Sequence, residues 1–276
     1  MARGLSDKPT WGASKGPPSP PTLGTPRRSR GAPRFPNTRR RPGTPGAPLG
    51  VPRVTALIPA GGAGRRLGTR TPKQFLRLAG VPMLALTVRH FATHPGVGAV
   101  VVAVPVREVE RARETLRALE RRVPLSVVAG GATRQESVWL ALQAAPADTE
   151  IAIVHDAVRP FLTRALIDLV LAAAAKAGAS ICALPIAETV KRVRDGVVEA
   201  TIDRTGLWAV QTPQAFRVAV LREAHEKARR DGIVGTDDAM LVERLGQRVV
   251  VVPGLEGNVK ITSAADLRRA RARARR

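Results

Sequence analysis

Three glycines, Gly61, Gly62 and Gly64, end the β-type apolar run VTALIP, and Arg65, Arg66, Arg70 and Lys73 follow at close spacing. Glycine removes side chains and permits positive φ, so the backbone N–H groups of residues 60–64 can converge on an anion. Guanidinium and ammonium groups add charge that pairs with phosphate oxygens. Pro72 stiffens the chain just before Lys73. No Asp or Glu occurs between Asp7 and Glu108, which keeps the field positive and suits a polyanion such as a triphosphate. The competing reading of this loop is a structural turn with solvated charges.

A second candidate lies downstream, where IAIVHDAVRPF places Asp156 and Arg159 just beyond the apolar run Ile151–Val154. A carboxylate at a strand end can hold Mg2+ beside phosphates, and the alternative is a helix N-cap. Two familiar phosphate loops are excluded. A P-loop ends in Gly-Lys-Ser/Thr, whereas Arg65 follows Gly64. A dinucleotide fingerprint requires a third glycine near Leu67 and then an acid about 20 residues further on to hold the ribose, and that acid is missing.

The elements that must position these residues read as α/β. VTALIP, GAVVVAVP, LSVVAG, IAIVHD and ASICALP are short apolar runs of the kind found in buried parallel strands. Between them, MLALTVRHFATH, REVERARETLRALE, TRQESVWLALQAA and RALIDLVLAAAAKAG carry helical apolar spacing. The pattern predicts crossover units and a doubly wound, mainly parallel sheet with ligands beyond the carboxyl ends of its strands. Residues 187–206 break the alternation and predict a charged hairpin turning at Asp195-Gly196, either a solvated ribbon or an arm packed on a second subunit. FRVAVLREAHEKARR and TDDAMLVERLG then read as helices, RVVVVPG as a strand, and a last helix starts at Ala264.

The formal net charge is +23, but residues 1–50 hold ten Lys/Arg against Asp7, and residues 266–276 hold six Arg against Asp266. The expected organisation is therefore a basic, Pro-rich disordered extension over 1–50, a folded domain over 51–265, and an Arg-rich helix end over 266–276. The extension reads as a solvated tail, a targeting peptide such as a plastid transit sequence, or upstream sequence absent from the mature protein. Cys182 is the single cysteine and reads as a buried core residue, in keeping with a reducing compartment and a cytoplasmic location. No run of about 18 apolar residues announces a membrane span. Basic charge suggests a nucleic-acid module, but Tyr is absent and no stacking pattern or recognition helix is evident, so no specific nucleic acid is expected.

The ordered motifs PAGGAGRRL with PKQF, GGATRQESV, VHDAVRP, ETVKRV, TIDRTGLWAVQTPQAF, GTDDA and GNVKIT resemble those of the 2-C-methyl-D-erythritol 4-phosphate cytidylyltransferases over about residues 53–268. The resemblance implies a Rossmann-like fold of the nucleotide-diphospho-sugar transferase type with a protruding β-arm. It implies a nucleotide site at Ala60, Gly61, Gly62, Gly64, Gly131, Ser137, Asp156 and Ala157. Arg66 and Lys73 match the pair that stabilises the transition state, and Arg204 and Lys260 match the pair that positions the attacking phosphate. Arg159, Thr189, Thr212 and Thr236 match the second-substrate site. The implied substrates are CTP and 2-C-methyl-D-erythritol 4-phosphate, the implied cofactor is Mg2+ carried mainly on CTP phosphates near Asp156, and the implied assembly is a homodimer that exchanges its arms. A related cytidylyltransferase acting on another polyol phosphate, such as ribitol 5-phosphate, is the alternative. The attacking phosphate is already ionised near neutral pH, so His155 is expected to pack rather than to catalyse.

Overall fold

The computed structural model describes residues 53–62 and 71–275. The 1–50 extension and the loop residues Gly64, Arg65, Arg66 and Arg70 lie outside the described residues.

From the N-terminal side, β1 (Val54–Pro59) leads through the small hairpin β2 (Arg77–Leu78) and β3 (Val81–Pro82) into α1 (Met83–Ala92). β4 (Ala99–Val104), α2 (Val109–Leu116), β5 (Leu125–Ala129), α3 (Arg134–Gln143), β6 (Ile151–Val154), α4 (Arg164–Ala177) and β7 (Ala179–Pro185) follow. The predicted hairpin is β8 (Val190–Arg194) and β9 (Val197–Ile202); Asp195 and Gly196 at its tip have φ of 51° and 80°. Two consecutive positive φ values are what a tight two-residue hairpin turn demands, and Asp-Gly supplies them at little strain. The chain closes with β10 (Trp208–Arg217), α5 (Val218–Arg230), α6 (Asp238–Glu243), β11 (Val250–Pro253) and α7 (Ala264–Arg273).

Seven strands form one sheet in the order β11-β7-β10-β6-β1-β4-β5. β1 pairs in parallel with β4 and β6, β4 with β5, and β7 with β11, while β10 runs antiparallel to both β6 and β7. Alternate residues of the strands feed two apolar layers. Ile58, Val100, Val102 and Ile153 join α1, α2 and α4 on one face. Leu57, Val101, Ala103 and Val154 join α3, α5 and α6 on the other. Helices on both faces explain why β1, β4 and β6 are buried throughout and read as continuous apolar runs. A third cluster packs Leu267 and Ala270 of α7 on Leu78, Met83, Val158 and Ile261, so the Arg-rich end continues a helix seated on the domain.

β10 is the element that the sequence pattern does not announce. Pro213 argues against a central strand, and Gln211 and Gln214 argue against a buried one. The register shifts between Gln211 and Gln214, which lifts Thr212-Pro213 out of the ladder with β7. Both amides find partners, Gln211 donating to the Leu255 carbonyl at 2.9 Å and Gln214 to Asp237 at 2.7 Å. Phe216, expected at the start of a helix, instead sits fully buried on β10, and α5 begins at Val218. Asn258 completes the repair. Its Nδ2 donates to the Thr212 carbonyl at 2.7 Å and contacts Gln211 Oε1 at 3.2 Å. Asn258→Ala should cost about 1 to 3 kcal/mol by leaving the Thr212 carbonyl buried and unpaired, measured as the change in urea unfolding free energy.

At the end of β6, His155 is fully buried, with its ring 5.3 Å from that of Phe91 and Nε2 3.1 Å from the Arg159 carbonyl. Burial pushes its pKa down to about 4, against the raising effects of the Arg159 hydrogen bond and the Asp156 charge. A neutral imidazole in this position packs and orients. The unfolded chain binds a proton near pH 6.5 that the folded chain refuses until about 4, so His155 lowers stability as pH falls through that window and has no such effect above it. His155→Gln should therefore narrow the drop in Tm between pH 7.5 and pH 5, with the lowered pKa of His90 accounting for part of the remaining slope. An unchanged drop would overturn the assignment.

Candidate active site

The site begins where β1 ends. Ala60 donates its N–H to the Ala103 carbonyl at 2.7 Å, extending the ladder by one bond, so this N–H does not face an anion as expected. Gly61 and Gly62 are exposed beyond it. A Cβ on Gly62 would lie 2.5 Å from Cε of Lys73, so glycine is what lets the lysine stem lie against the loop backbone. Lys73 starts a single 3-10 turn, Lys73–Phe75. Ala60, Gly61, Gly62, Lys73, Gly131 and Asp156 line a cavity of about 350 Å³, with Ala157 and Lys260 also on its wall.

The opposite wall is the N-terminus of α3. Thr133 caps the helix, accepting the Glu136 N–H at 3.0 Å, while Glu136 Oε2 accepts the Ala132 N–H at 2.8 Å. Ser137 Oγ accepts the Gly131 N–H at 3.2 Å and donates to the Thr133 carbonyl at 2.9 Å. Ser137 thus shapes the Gly131 loop from behind the cavity rather than lining it. A Cβ on Gly131 would meet Glu136 Cγ at 2.1 Å, so this cap cannot close on a larger residue. The positive end of α3 faces the cavity and favours anions there.

Asp156 stands between the two walls. Its backbone N–H donates to Thr212 Oγ1 at 3.1 Å, and its side chain caps no helix, since Thr163 is the N-cap of α4. One carboxylate oxygen accepts from Arg134 Nε at 3.0 Å; the other lies 2.8 Å from Lys260 Nζ and 3.7 Å from Arg159 Nε. Burial would raise its pKa, but Arg134, Lys260 and Arg159 outweigh that and hold it well below the usual carboxylate range. Arg159 also donates to the Asn258 carbonyl at 2.7 Å, which fixes its fork.

A second cavity of about 270 Å³ adjoins the first and shares Arg134, Asp156 and Lys260 with it. Arg159, Thr212 and Thr236 line this second space, so the structure brings together three residues expected for a second substrate. Thr189 and Arg204 stay outside both cavities. Arg204 folds back on the base of the arm and donates to the Ile186 carbonyl at 3.1 Å and to that of Ala187. Arg134 is a site residue that the sequence reading does not single out; its place directly after the cap residue of GGATRQESV is the signal that could have found it. Among the described residues no group of three or more His, Cys, Asp or Glu could hold a metal. A divalent cation here would therefore take its oxygens mainly from a bound triphosphate, with ionised Asp156 beside it.

The chain matches the family model for 2-C-methyl-D-erythritol 4-phosphate cytidylyltransferase over residues 54–276. It is 49% identical over 223 residues to the 2-C-methyl-D-erythritol 4-phosphate cytidylyltransferase of Symbiobacterium thermophilum, covering 80% of this chain and 92% of that relative. It is 44% identical over 213 residues to the enzyme of that name from Bacillus cereus, covering 77% and 94%. Among solved structures, 2-C-methyl-D-erythritol 4-phosphate cytidylyltransferase from Thermus thermophilus aligns with a TM-score of 0.69 at 37% identity, covering 81% of this chain and all of that one (100%). The 4-diphosphocytidyl-2C-methyl-D-erythritol synthase of Anaerococcus prevotii aligns with a TM-score of 0.72 at 27% identity, covering 82% and 100%. The chain belongs to the 2-C-methyl-D-erythritol 4-phosphate cytidylyltransferase family.

Proposed function

We propose that this enzyme transfers CMP from CTP to 2-C-methyl-D-erythritol 4-phosphate, releasing pyrophosphate and forming 4-diphosphocytidyl-2-C-methyl-D-erythritol for isoprenoid biosynthesis. The observation that carries the reading is the pair of adjoining cavities that share Arg134, Asp156 and Lys260. A reaction between two phosphorylated substrates needs two anion sites that meet at one point. The relatives named above favour methylerythritol phosphate over another polyol phosphate as the acceptor.

In the reaction an oxygen of the phosphate monoester attacks the α-phosphorus of CTP. The new P–O bond forms as the bond to the bridging oxygen breaks, and pyrophosphate leaves with that electron pair. No proton must be removed from an ionised phosphate, so no general base is called for, and the buried neutral His155 has no acid–base role. The first cavity takes CTP, with Lys73 and the α3 N-terminus facing its phosphates. Arg66 belongs to the same loop by sequence and is assigned alongside Lys73. The second cavity takes the acceptor, with Arg159, Thr212, Thr236 and Lys260 around its phosphate. Positioning and charge compensation supply most of the rate in such transfers. Mg2+ arriving on CTP would neutralise phosphate charge, with Asp156 the carboxylate available to it.

Homodimerisation through the arm completes the reading. Val193, Val197 and Val198 of the arm and Trp208 and Val210 of β10 are exposed apolar residues on one continuous stretch of chain. Covering them with a second copy would also carry Thr189 and Arg204 toward a neighbouring acceptor site.

Lys73→Ala should reduce turnover tenfold to a thousandfold with the fold intact, and near-normal pyrophosphate release would sink the assignment. Arg204→Ala should raise KM for methylerythritol phosphate more than KM for CTP. Mixing the Arg204→Ala and Lys73→Ala proteins should restore part of the lost activity through mixed dimers that retain one intact site; no recovery would refute arm exchange.

A further inference from the structure

Arg134 has two partners that it reaches along different N–H directions. Nε meets Asp156 at 3.0 Å, and Nη1 meets Asp238 Oδ2 at 2.7 Å. Asp238 is the second residue of the conspicuous Asp237-Asp238 pair at the start of α6, is almost wholly buried, and lines neither cavity. Its other oxygen is 3.1 Å from Nε2 of His225, which is itself fully buried and stacks on Trp139 with ring centroids 6.1 Å apart. Asp238 is thus locked from behind by α5 and α3, and its free direction is toward Arg134. Burial would raise its pKa, but Arg134 and His225 keep it lowered, so it is ionised at neutral pH.

The two cations facing Asp156 differ. Arg134 is tethered on its far side by Asp238, whereas Lys260 is 40% exposed and has Asp156 as its salt-bridge partner. We propose that Asp238 is a positioning residue: by holding Arg134 it pins one oxygen of Asp156, leaving the other to exchange Lys260 for the charges that arrive with the substrates. Lys260, on the wall of both cavities, is placed to turn from Asp156 toward an incoming phosphate. If Arg134 were equally free it would follow the phosphates too, and the carboxylate between the two cavities would lose its orientation as the substrates meet. A lysine would not reproduce Arg134, because its one rotatable nitrogen on a flexible stem replaces a rigid fork that presents Nε and Nη1 to the two carboxylates from separate positions.

The inference rests on the proposed function, and the variants are compared on whichever member of a polyol phosphate panel the wild-type enzyme accepts with CTP. Failure of methylerythritol phosphate in that panel then sinks the function alone. Asp238→Asn and Arg134→Lys should each lower kcat tenfold or more while changing KM for CTP by less than threefold. The double variant should lose no more than the worse single one, because both changes break the same bridge. Near-UV circular dichroism and Tm establish that the proteins are folded, and Arg134→Lys, which keeps its charge at a partly exposed position, carries the test if Asp238→Asn does not fold. The proposal is overturned by an Arg134→Lys enzyme with kcat within threefold of wild type, by losses confined to KM for CTP, or by losses that multiply in the double variant.

Discussion

A buried carboxylate must be compensated, and Asp156 is the place where this chain meets that demand. Removing one charge from water without a partner costs several kcal/mol, so the fold around Asp156 is stable only when cations are delivered to it from elsewhere. Arg159 lies three residues on in the same loop, but Arg134 at the start of α3 and Lys260 on the segment before α7 come from distant parts of the chain. Bringing these segments together is also what forms both cavities. Folding and site assembly are therefore one event, and with substrate phosphates present the same cations have competing anions to serve.

The architecture was largely legible because its signals are local. Buried parallel strands betray themselves as unbroken Val, Ile and Ala runs, and the Asp195-Gly196 turn is announced by two residues. β10 was not legible because what permits it is nonlocal. Only when Asn258 and Leu255 are beside Gln211, and Asp237 beside Gln214, does a strand containing Pro213 find partners for both of its glutamine NH2 groups in the middle of a sheet. Propensity reads the residue, and tertiary hydrogen bonding decides its fate.

The site divides the same way. Lys73 and Asp156 stand in motifs whose residue types already imply phosphate chemistry, Lys260 is reached only through the family resemblance, and the three meet around the first cavity. Ser137 and Ala60 fall within such motifs too, yet one hydroxyl and one N–H are spent on the loop and the ladder. Arg134 and Asp238 are 104 positions apart, and no periodicity could connect them. Pairing across that separation is a property of the sheet order, which puts α3 and α6 on the same face.

β10 has one further consequence. Trp208, Ala209 and Val210 lie exposed beside the base of the arm, and Gln211 to Phe216 run buried through the middle of the sheet. The irregularity between Gln211 and Gln214 falls where the exposed part of the strand gives way to the buried part. Thr212, partway along, bears directly on the Asp156 N–H at 3.1 Å. One strand thus joins two places: its exposed end lies at the base of the arm, and Thr212 within it holds the backbone from which the Asp156 carboxylate projects.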